Sequence, residues 1–330
     1  MFKSINLTDF KGIRKCEKPI ELSKFNLLIG PNNSGKTSIL EALYLSINPW
    51  ISPWPFNKTE DRAKMILFNK IHSGWISLIY RYYGLSKLES TLNVGSRISV
   101  LIGSHDAICF IDGKELTDFK SLSGALRNLY IIKSDDELAD CIAYIPSDNR
   151  FLSRLIELIT KKENWFKVQK TDVHSKIVKD FVSKVVSDDF TDVTIQFSEM
   201  VVRREIKPGG STAYIDVRDL GDGVERFLAV GLWLEALNPK MVLWDDLEAS
   251  AHPALISQII RWLGEHDWQV VATTHSLDVL HEFVLAEPED ARVIQLKKSK
   301  NDVLSYKVLS LKEVEELFKR GLDVRKLLNW

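Results

Sequence analysis

Polar and apolar positions alternate through Met1-Phe2-Lys3-Ser4-Ile5-Asn6-Leu7 in the manner of a strand, which predicts one over 2–8. A second strand-like stretch covers 18–29 and closes on Phe25-Asn26-Leu27-Leu28-Ile29, a short apolar run that reads as a buried strand. Lys11, Arg14, Lys15 and Lys18 mark the link between them as a solvated turn. In Ser38-Ile39-Leu40-Glu41-Ala42-Leu43-Tyr44-Leu45 the apolar residues fall at helical spacing, and this helix is expected to end near Asn48-Pro49. Beyond it, Trp50-Ile51-Ser52-Pro53-Trp54-Pro55-Phe56 cannot continue a helix, because proline lacks the N–H donor and its ring fixes φ. A lobe boundary is expected there.

Residues 75–111 return to alternation, as in Trp75-Ile76-Ser77-Leu78-Ile79-Tyr80, with turn signals at Gly84, Asn93, Gly95, Gly103 and Asp112-Gly113. They predict a small antiparallel sheet. Two more strands are expected within 128–146. Helical spacing recurs over 151–162 and 173–187, but the apolar faces are short and interrupted and sustain no heptads, so no long coiled-coil arm is expected. Strands are expected at 190–206 and 212–217, joined by the hairpin signal Lys207-Pro208-Gly209-Gly210. From residue 219 the pattern alternates loop, helix, strand, helix and strand, which predicts a mostly parallel sheet. Strands at 291–297 and 303–309 and a helix at 311–320 are expected to close an α/β fold.

Composition narrows the class. A chain of 330 residues with 45% hydrophobic and 27% charged residues has the balance of a globular protein of one large or two modest domains. Lys+Arg 44 against Asp+Glu 45 leaves a formal net charge of -1, so any attraction to nucleic acid must come from local patches. Cys16, Cys109 and Cys141 are sparse and odd in number, which argues against a disulfide framework and against a zinc site and suits a reducing interior. No run of about 18 apolar residues is present, and the N-terminus lacks the apolar core of a signal peptide. No membrane partner and a cytoplasmic location are expected.

The chemistry begins at Gly30-Pro31-Asn32-Asn33-Ser34-Gly35-Lys36-Thr37, which fits G-x-x-x-x-G-K-[ST] between a predicted strand and a predicted helix. Glycines let backbone N–H groups curl around a phosphate, and the helix start, running on through Ser38, adds its positive dipole end. Lys36 can then reach the β/γ-phosphates and the Thr37 hydroxyl can sit on Mg²⁺. Met241-Val242-Leu243-Trp244-Asp245-Asp246 is an apolar strand ending in two carboxylates: the first suits Mg²⁺, the second an attacking water. A third apolar strand, Trp268-Gln269-Val270-Val271-Ala272-Thr273, runs into Thr274-His275-Ser276, where strand ends face the ligand crevice of an open parallel sheet and His275 can approach a γ-phosphate. Between the hairpin and the acidic strand, Leu220-Gly221-Asp222-Gly223 opens a helix with an apolar stripe through Val224, Phe227, Leu228 and Leu232. By local sequence it is no more than a glycine turn before a helix.

In this order (phosphate loop, long insert, Gly-rich helix start, acidic strand, histidine strand) the chain resembles the ABC-type ATPase heads, more particularly the SMC/RecF-like and OLD-like group. The resemblance covers roughly 1–48 and 212–285. It implies a P-loop NTPase fold in a single domain over 1–330, with a nucleotide-binding core from 1–49 and 212–330 and an inserted β/helical lobe over 50–211. Lys36 and Thr37 would be the Walker A residues, Asp245 the Walker B aspartate, and His275 the switch histidine. Leu220, Gly221, Asp222 and Gly223 would stand in for the signature motif, with Asp245 placed 24 residues after Gly221. Glu248-Ala249-Ser250-Ala251-His252-Pro253 looks like the E-x-x-x-H-P stretch of the OLD-like group, and Leu7-Thr8-Asp9-Phe10-Lys11-Gly12 like its opening strand and turn. The family usually has glutamate where this chain has Asp246, so the water-orienting role falls to Asp246 or, failing that, to Glu248.

The resemblance further implies ATP and Mg²⁺ as cofactors and a homodimer that closes around ATP and opens on hydrolysis. Only 55 residues follow His275, too few for a Toprim nuclease, so any nuclease or other effector would act in trans. The expected role is an ATPase switch in DNA repair, DNA maintenance or phage defence. The basic pairs Arg203-Arg204 and Lys297-Lys298 are compatible with double-stranded DNA as a partner. An ATP-gated regulator of a protein partner is the alternative, and a transporter's nucleotide-binding subunit a weaker one.

Overall fold

The computed structural model describes residues 1–56, 62, 74–129, 131–186, 188–206, 210–249 and 251–327. The chain opens with β1 (Phe2–Phe10), β2 (Ile13–Cys16), β3 (Ile20–Glu21) and β4 (Phe25–Ile29), then α1 (Lys36–Ser46). β1 buries Phe2, Ile5, Leu7 and Phe10 and leaves residues between them partly open, whereas every residue of β4 is buried, the pattern of a strand covered on both faces. After the prolines, β5 (Ser86–Leu92), β6 (Arg97–Ile102), β7 (Ala107–Ile111) and β8 (Lys114–Leu116) form an antiparallel meander. Then come α2 (Phe119–Asn128), α3 (Asp135–Asp140), β9 (Ile142–Ile145), α4 (Asn149–Ile159) and α5 (Lys162–Lys170). A broken helix follows: α6 (Val173–Ile177), a wide turn over Val178–Val182, and α7 (Ser183–Val186).

β10 (Phe190–Gln196), β11 (Glu199–Glu205) and β12 (Thr212–Asp216) make a separate antiparallel sheet. The hairpin turn expected at Lys207–Gly210 lies mostly outside the described residues. The chain ends with α8 (Asp222–Leu237), β13 (Met241–Trp244), α9 (Pro253–Glu265), β14 (Gln269–Thr273), α10 (Leu277–Ala286), β15 (Ala291–Lys298), β16 (Val303–Leu309) and α11 (Leu311–Lys319). Helix starts follow local chemistry. Asp118 and Ser310 close capping boxes on α2 and α11, and His252 caps α9 with Pro253 in its first turn.

Twelve strands of the large sheet run in the order β8-β7-β6-β5-β1-β2-β16-β15-β4-β14-β13-β9, with β3 paired to β1. Its right half, β15-β4-β14-β13-β9, is parallel, as the loop–helix–strand pattern predicts. The meander from the middle of the chain continues the sheet through β1, and β9 adds its other edge beside β13. α8 packs on this frame through Trp233, whose ring lies 5.8 Å from those of Phe56 and Phe151. Among the described residues no helix is long and apolar enough to cross a membrane.

Two stretches depart from the sequence reading. Residues 75–82, read as strand, form short 3₁₀ turns at Trp75–Leu78 and Tyr80–Tyr82. Leu78 and Ile79 are both buried although adjacent, which a strand with one buried face cannot do. Within 128–146 only β9 is a strand: Ser134 caps a helix whose first turn is Asp135-Asp136-Glu137, and this start signal outweighs the apolar residues around it.

Candidate functional site

β4 delivers the chain, fully buried, to Gly30, and the loop that follows turns it into α1. Gly30 sits at φ 151, Asn33 at φ 62 and Gly35 at φ 99. A Cβ on Gly30 would lie 2.6 Å from the Leu296 carbonyl oxygen and 2.8 Å from Ser34 Oγ, so the loop closes only around glycine. Pro31, Asn32 and Asn33 are exposed, while Ser34 is buried and its hydroxyl has no hydrogen-bond partner among the described residues. Lys36 is buried and folds back over the loop, Nζ donating to Gly30 O (2.9 Å) and Pro31 O (3.1 Å). Burial holds its ammonium below the usual lysine range, with Asp246, Asp245 and Glu248 pulling the other way. An orphan buried hydroxyl, a left-handed glycine at a helix start and an ammonium on one loop make a cradle for an anion.

Thr37 begins the acidic half of the site. Its Oγ1 donates to Asp245, 3.2 Å from Oδ1 and 3.0 Å from Oδ2, and Thr273 Oγ1 donates to Oδ1 at 2.7 Å. The parallel pairing of β13 with β14 sets this geometry, since it brings the ends of the two strands abreast. Asp245 is 5% exposed, and burial pushes its carboxyl up to about 6 against the two hydroxyls and with the help of Asp246. A hydroxyl and a carboxylate are hard oxygen donors that fit Mg²⁺. Among the described residues no three His, Cys, Asp or Glu side chains form a metal cluster.

Asp246 turns the chain at φ 49, its N–H donating to Thr273 Oγ1 at 2.8 Å. One carboxylate oxygen lies 3.9 Å from His275 Nε2, and both side chains remain open to solvent. Glu248 is differently placed. It accepts from Thr274 Oγ1 (2.8 Å) and from the His275 N–H (2.6 Å), so both its oxygens hold the histidine loop in place. Ser38 sits half-buried in the first turn of α1. The structure thus gathers the loop from Gly30, Lys36 and Thr37 with Asp245, Asp246, Glu248 and His275. It does not bring in the Gly-rich helix start: no hydrogen bond among the described residues joins Leu220, Gly221, Asp222 or Gly223 to the phosphate loop. Gly221 (φ 100) and Asp222 are exposed at the N-terminus of α8.

Several contributors escaped the sequence reading. Thr273 and Thr274 are the hydroxyls that orient Asp245 and Glu248; their place at the end of an apolar strand was the available signal. Arg325 donates to the His275 carbonyl while paired to Asp323, 2.9 and 2.8 Å across two bonds. Lys298 reaches Asn33 Oδ1 (3.2 Å) and Gly12 O (2.9 Å). Nothing in the local sequence marks Arg325, and it marks Lys298 only as half of a basic pair. The basic pairs read as DNA-compatible are largely committed within the fold: Arg203 to Asp192 (2.8 Å), Arg204 to Asp188 (3.0 Å) and Lys298 to Asp302 (3.3 Å). In the Glu248–Pro253 stretch, Ser250 lies outside the described residues, and His252 and Pro253 start α9.

A family described as an AAA ATPase domain matches residues 1–143, and one described as "AAA domain, putative AbiEii toxin, Type IV TA system" matches residues 110–280, more than half of the chain. Over 40 residues the chain is 58% identical to the DNA replication and repair protein RecF of Aliivibrio salmonicida, covering 12% of this chain and 11% of that protein. RecF of Vibrio cholerae (El Tor Inaba N16961) matches at 58% over 40 residues, 12% of this chain and 10% of that one. The shared stretch is thus about a tenth of the length of these curated relatives. Among solved structures, the SmcHead bound to the C-winged helix domain of ScpA superposes with a TM-score of 0.65 at 14% identity, over 96% of this chain and 99% of that one. The SMC head domain from Thermotoga maritima does so at 0.53 and 14%, over 94% and 99%. At such identity the likeness carries the fold. The chain belongs to the AAA-domain family described as putative AbiEii toxin, Type IV TA system, and its fold is that of an SMC head.

Proposed function

We propose that this chain binds ATP on the loop from Gly30 to Ser38 and hydrolyses it as a switch. The observation that carries the reading is the pair of hydrogen bonds from Thr37 Oγ1 to Asp245, 3.0 and 3.2 Å, which sets a hydroxyl and a carboxylate at one point beside the Lys36 ammonium. Bound there, Mg²⁺ would neutralise charge on the β- and γ-oxygens. Lys36 exchanges its two loop carbonyls for phosphate oxygens. Asp246 orients the attacking water, with His275 beside it, since Glu248 already spends both oxygens on Thr274 and the His275 N–H. The nucleotide core comes from 1–49 and 212–330 with 50–211 as an inserted lobe, because every residue of this set lies in the first two segments.

Two copies complete the site. The exposed start of α8 at Gly221–Gly223 supports this, for it is a helix N-terminus free to take a phosphate from a second subunit. ATP binding then closes the dimer and hydrolysis opens it. The short likeness to RecF and the resemblance to the OLD-like group favour a role in DNA repair, maintenance or phage defence, with duplex DNA and a nuclease or effector in trans as partners. The pairing of Arg203 and Arg204 with acids favours a second reading, an ATP-gated clamp on a protein, and one similar SMC head is solved with a ScpA domain bound.

The test is ATP turnover against protein concentration, with and without linear duplex DNA, at two salt concentrations. Turnover that rises cooperatively, and rises further with DNA at low salt, fits the DNA-associated dimer. Turnover indifferent to DNA selects the protein clamp, and turnover proportional to concentration removes the dimer. Single-turnover hydrolysis by Asp246→Asn and Glu248→Gln assigns the acid: loss in the second variant alone would overturn the choice of Asp246.

A further inference from the structure

One buried cation is left without work by this account. Arg226, in the second turn of α8, is 3% exposed, and its Nη2 donates to Pro146 O at 2.7 Å. Its Nε and Nη1 are buried with no hydrogen-bond partner among the described residues. Both open donors stay within the protein, where an unpaired guanidinium costs stability. The register places them. β9 pairs in parallel with β13 up to Ile145↔Trp244, and Asp245 N donates to Ile145 O at 2.8 Å. Pro146, the residue that anchors Arg226, is therefore abreast of Asp245 at the same strand ends. Burial holds the guanidinium below its usual range, with Asp246 and then Asp148 pulling the other way. Asp148 is already engaged as the N-cap of α4, accepting from the Arg150 N–H at 2.7 Å. Asp246 is not so held: its side chain is 37% exposed, with a carboxylate oxygen 3.9 Å from His275 Nε2.

We propose that Arg226 is a positioning residue whose two open donors receive the Asp246 carboxylate when the nucleotide site closes. This rests on Asp246 as the water-orienting acid. The arrangement gives Asp246 two resting places, beside His275 in the open site and on Arg226 in the closed one. It also ties the water-orienting acid to the helix whose exposed start faces a second subunit, so closure in trans and alignment in cis share one side chain. A guanidinium suits the task because two parallel donors fix both the position and the plane of a carboxylate.

The experiment compares Arg226→Met, Arg226→Lys, Asp246→Asn and the Arg226→Met/Asp246→Asn double variant. Each is measured for thermal midpoint, affinity for a fluorescent ATP analogue and single-turnover hydrolysis. Arg226→Met is expected to bind nucleotide within about threefold of wild type and to hydrolyse at least about tenfold more slowly, with Lys restoring part of the loss. The double variant is expected to be no slower than Asp246→Asn, because both changes break one device. The midpoint of Arg226→Met should stay near or above that of wild type, since two unpaired buried donors leave with the charge. Multiplicative losses in the double variant, a parallel fall in affinity, or a collapsed midpoint without rescue by Lys would each overturn the inference and leave Arg226 as a structural tie. Full turnover in Asp246→Asn alone would remove the catalytic reading of Asp246, and this inference with it.

Discussion

Lys36 spends both its bonds on its own loop, holding Gly30 O and Pro31 O until an anion replaces them. Lys36→Ala removes two charge-assisted donors, each worth about 1.5–3 kcal/mol. ATP affinity, read by a fluorescent analogue, should fall by at least about 100-fold. Asp245 makes a prediction of opposite character. Its folded carboxyl is raised to about 6 from 3.8, so the folded state holds a proton that the unfolded chain has released. Stability from this group is therefore present below about pH 4, declines as pH rises towards 6 and stays lost above it. Without metal, Asp245→Asn should gain on the order of 2–3 kcal/mol at pH 8 and nothing near pH 4, as read by denaturant unfolding in a chelator. Asp245, Asp246 and Lys36 were legible because strand, loop and acid follow one another in sequence. Arg226, Lys298 and Arg325 were not, since the atoms that give them meaning are Pro146, Asn33 and His275, each brought near by folding alone.

At the scale of elements, α8 has two ends with separate duties. Its middle packs Trp233, wholly buried, against Phe56 and Phe151, and Trp233→Ala should destabilise the protein by about 3–5 kcal/mol in denaturant unfolding. Its start is exposed, and Gly223→Asp places an acid where a helix N-terminus tolerates one. That variant should fold and bind ATP much as wild type does, yet lose cooperative turnover as the carboxylate repels phosphate from the second copy. Unchanged turnover in it would remove the dimer argument. The strands around the site were readable because β4, β13 and β14 are largely apolar runs between turn signals, which is how a doubly covered parallel strand looks. The errors fell where length decides. Trp75–Leu78 is too short for a period to show, and around α3 an acidic first turn behind Ser134 was the better guide than the apolar residues.

Across the whole molecule the sheet is continuous, and its continuity was beyond reach of the sequence, which shows which residues are apolar and not which edges meet. One joint in it is narrow. β2 and β16 pair at only Val303↔Lys15 and Leu304↔Cys16, flanked by backbone bonds from Arg14 to Asp302 and from Glu17 to Leu304. In the strand ladder itself β8 to β1 join the nucleotide-binding strands through this pairing, while Gln269 of β14 holds both the N–H and the carbonyl of Phe2 from the other side. The loop glycine lies against the pairing: a Cβ on Gly35 would come within 3.0 Å of Ile13 Cδ1 and 3.7 Å of Leu304 Cδ1. The helix that the phosphate loop opens spans the joint, touching β1, β5 and β6 on one side and β14, β13 and β9 on the other, so whatever pulls on the loop pulls on both halves.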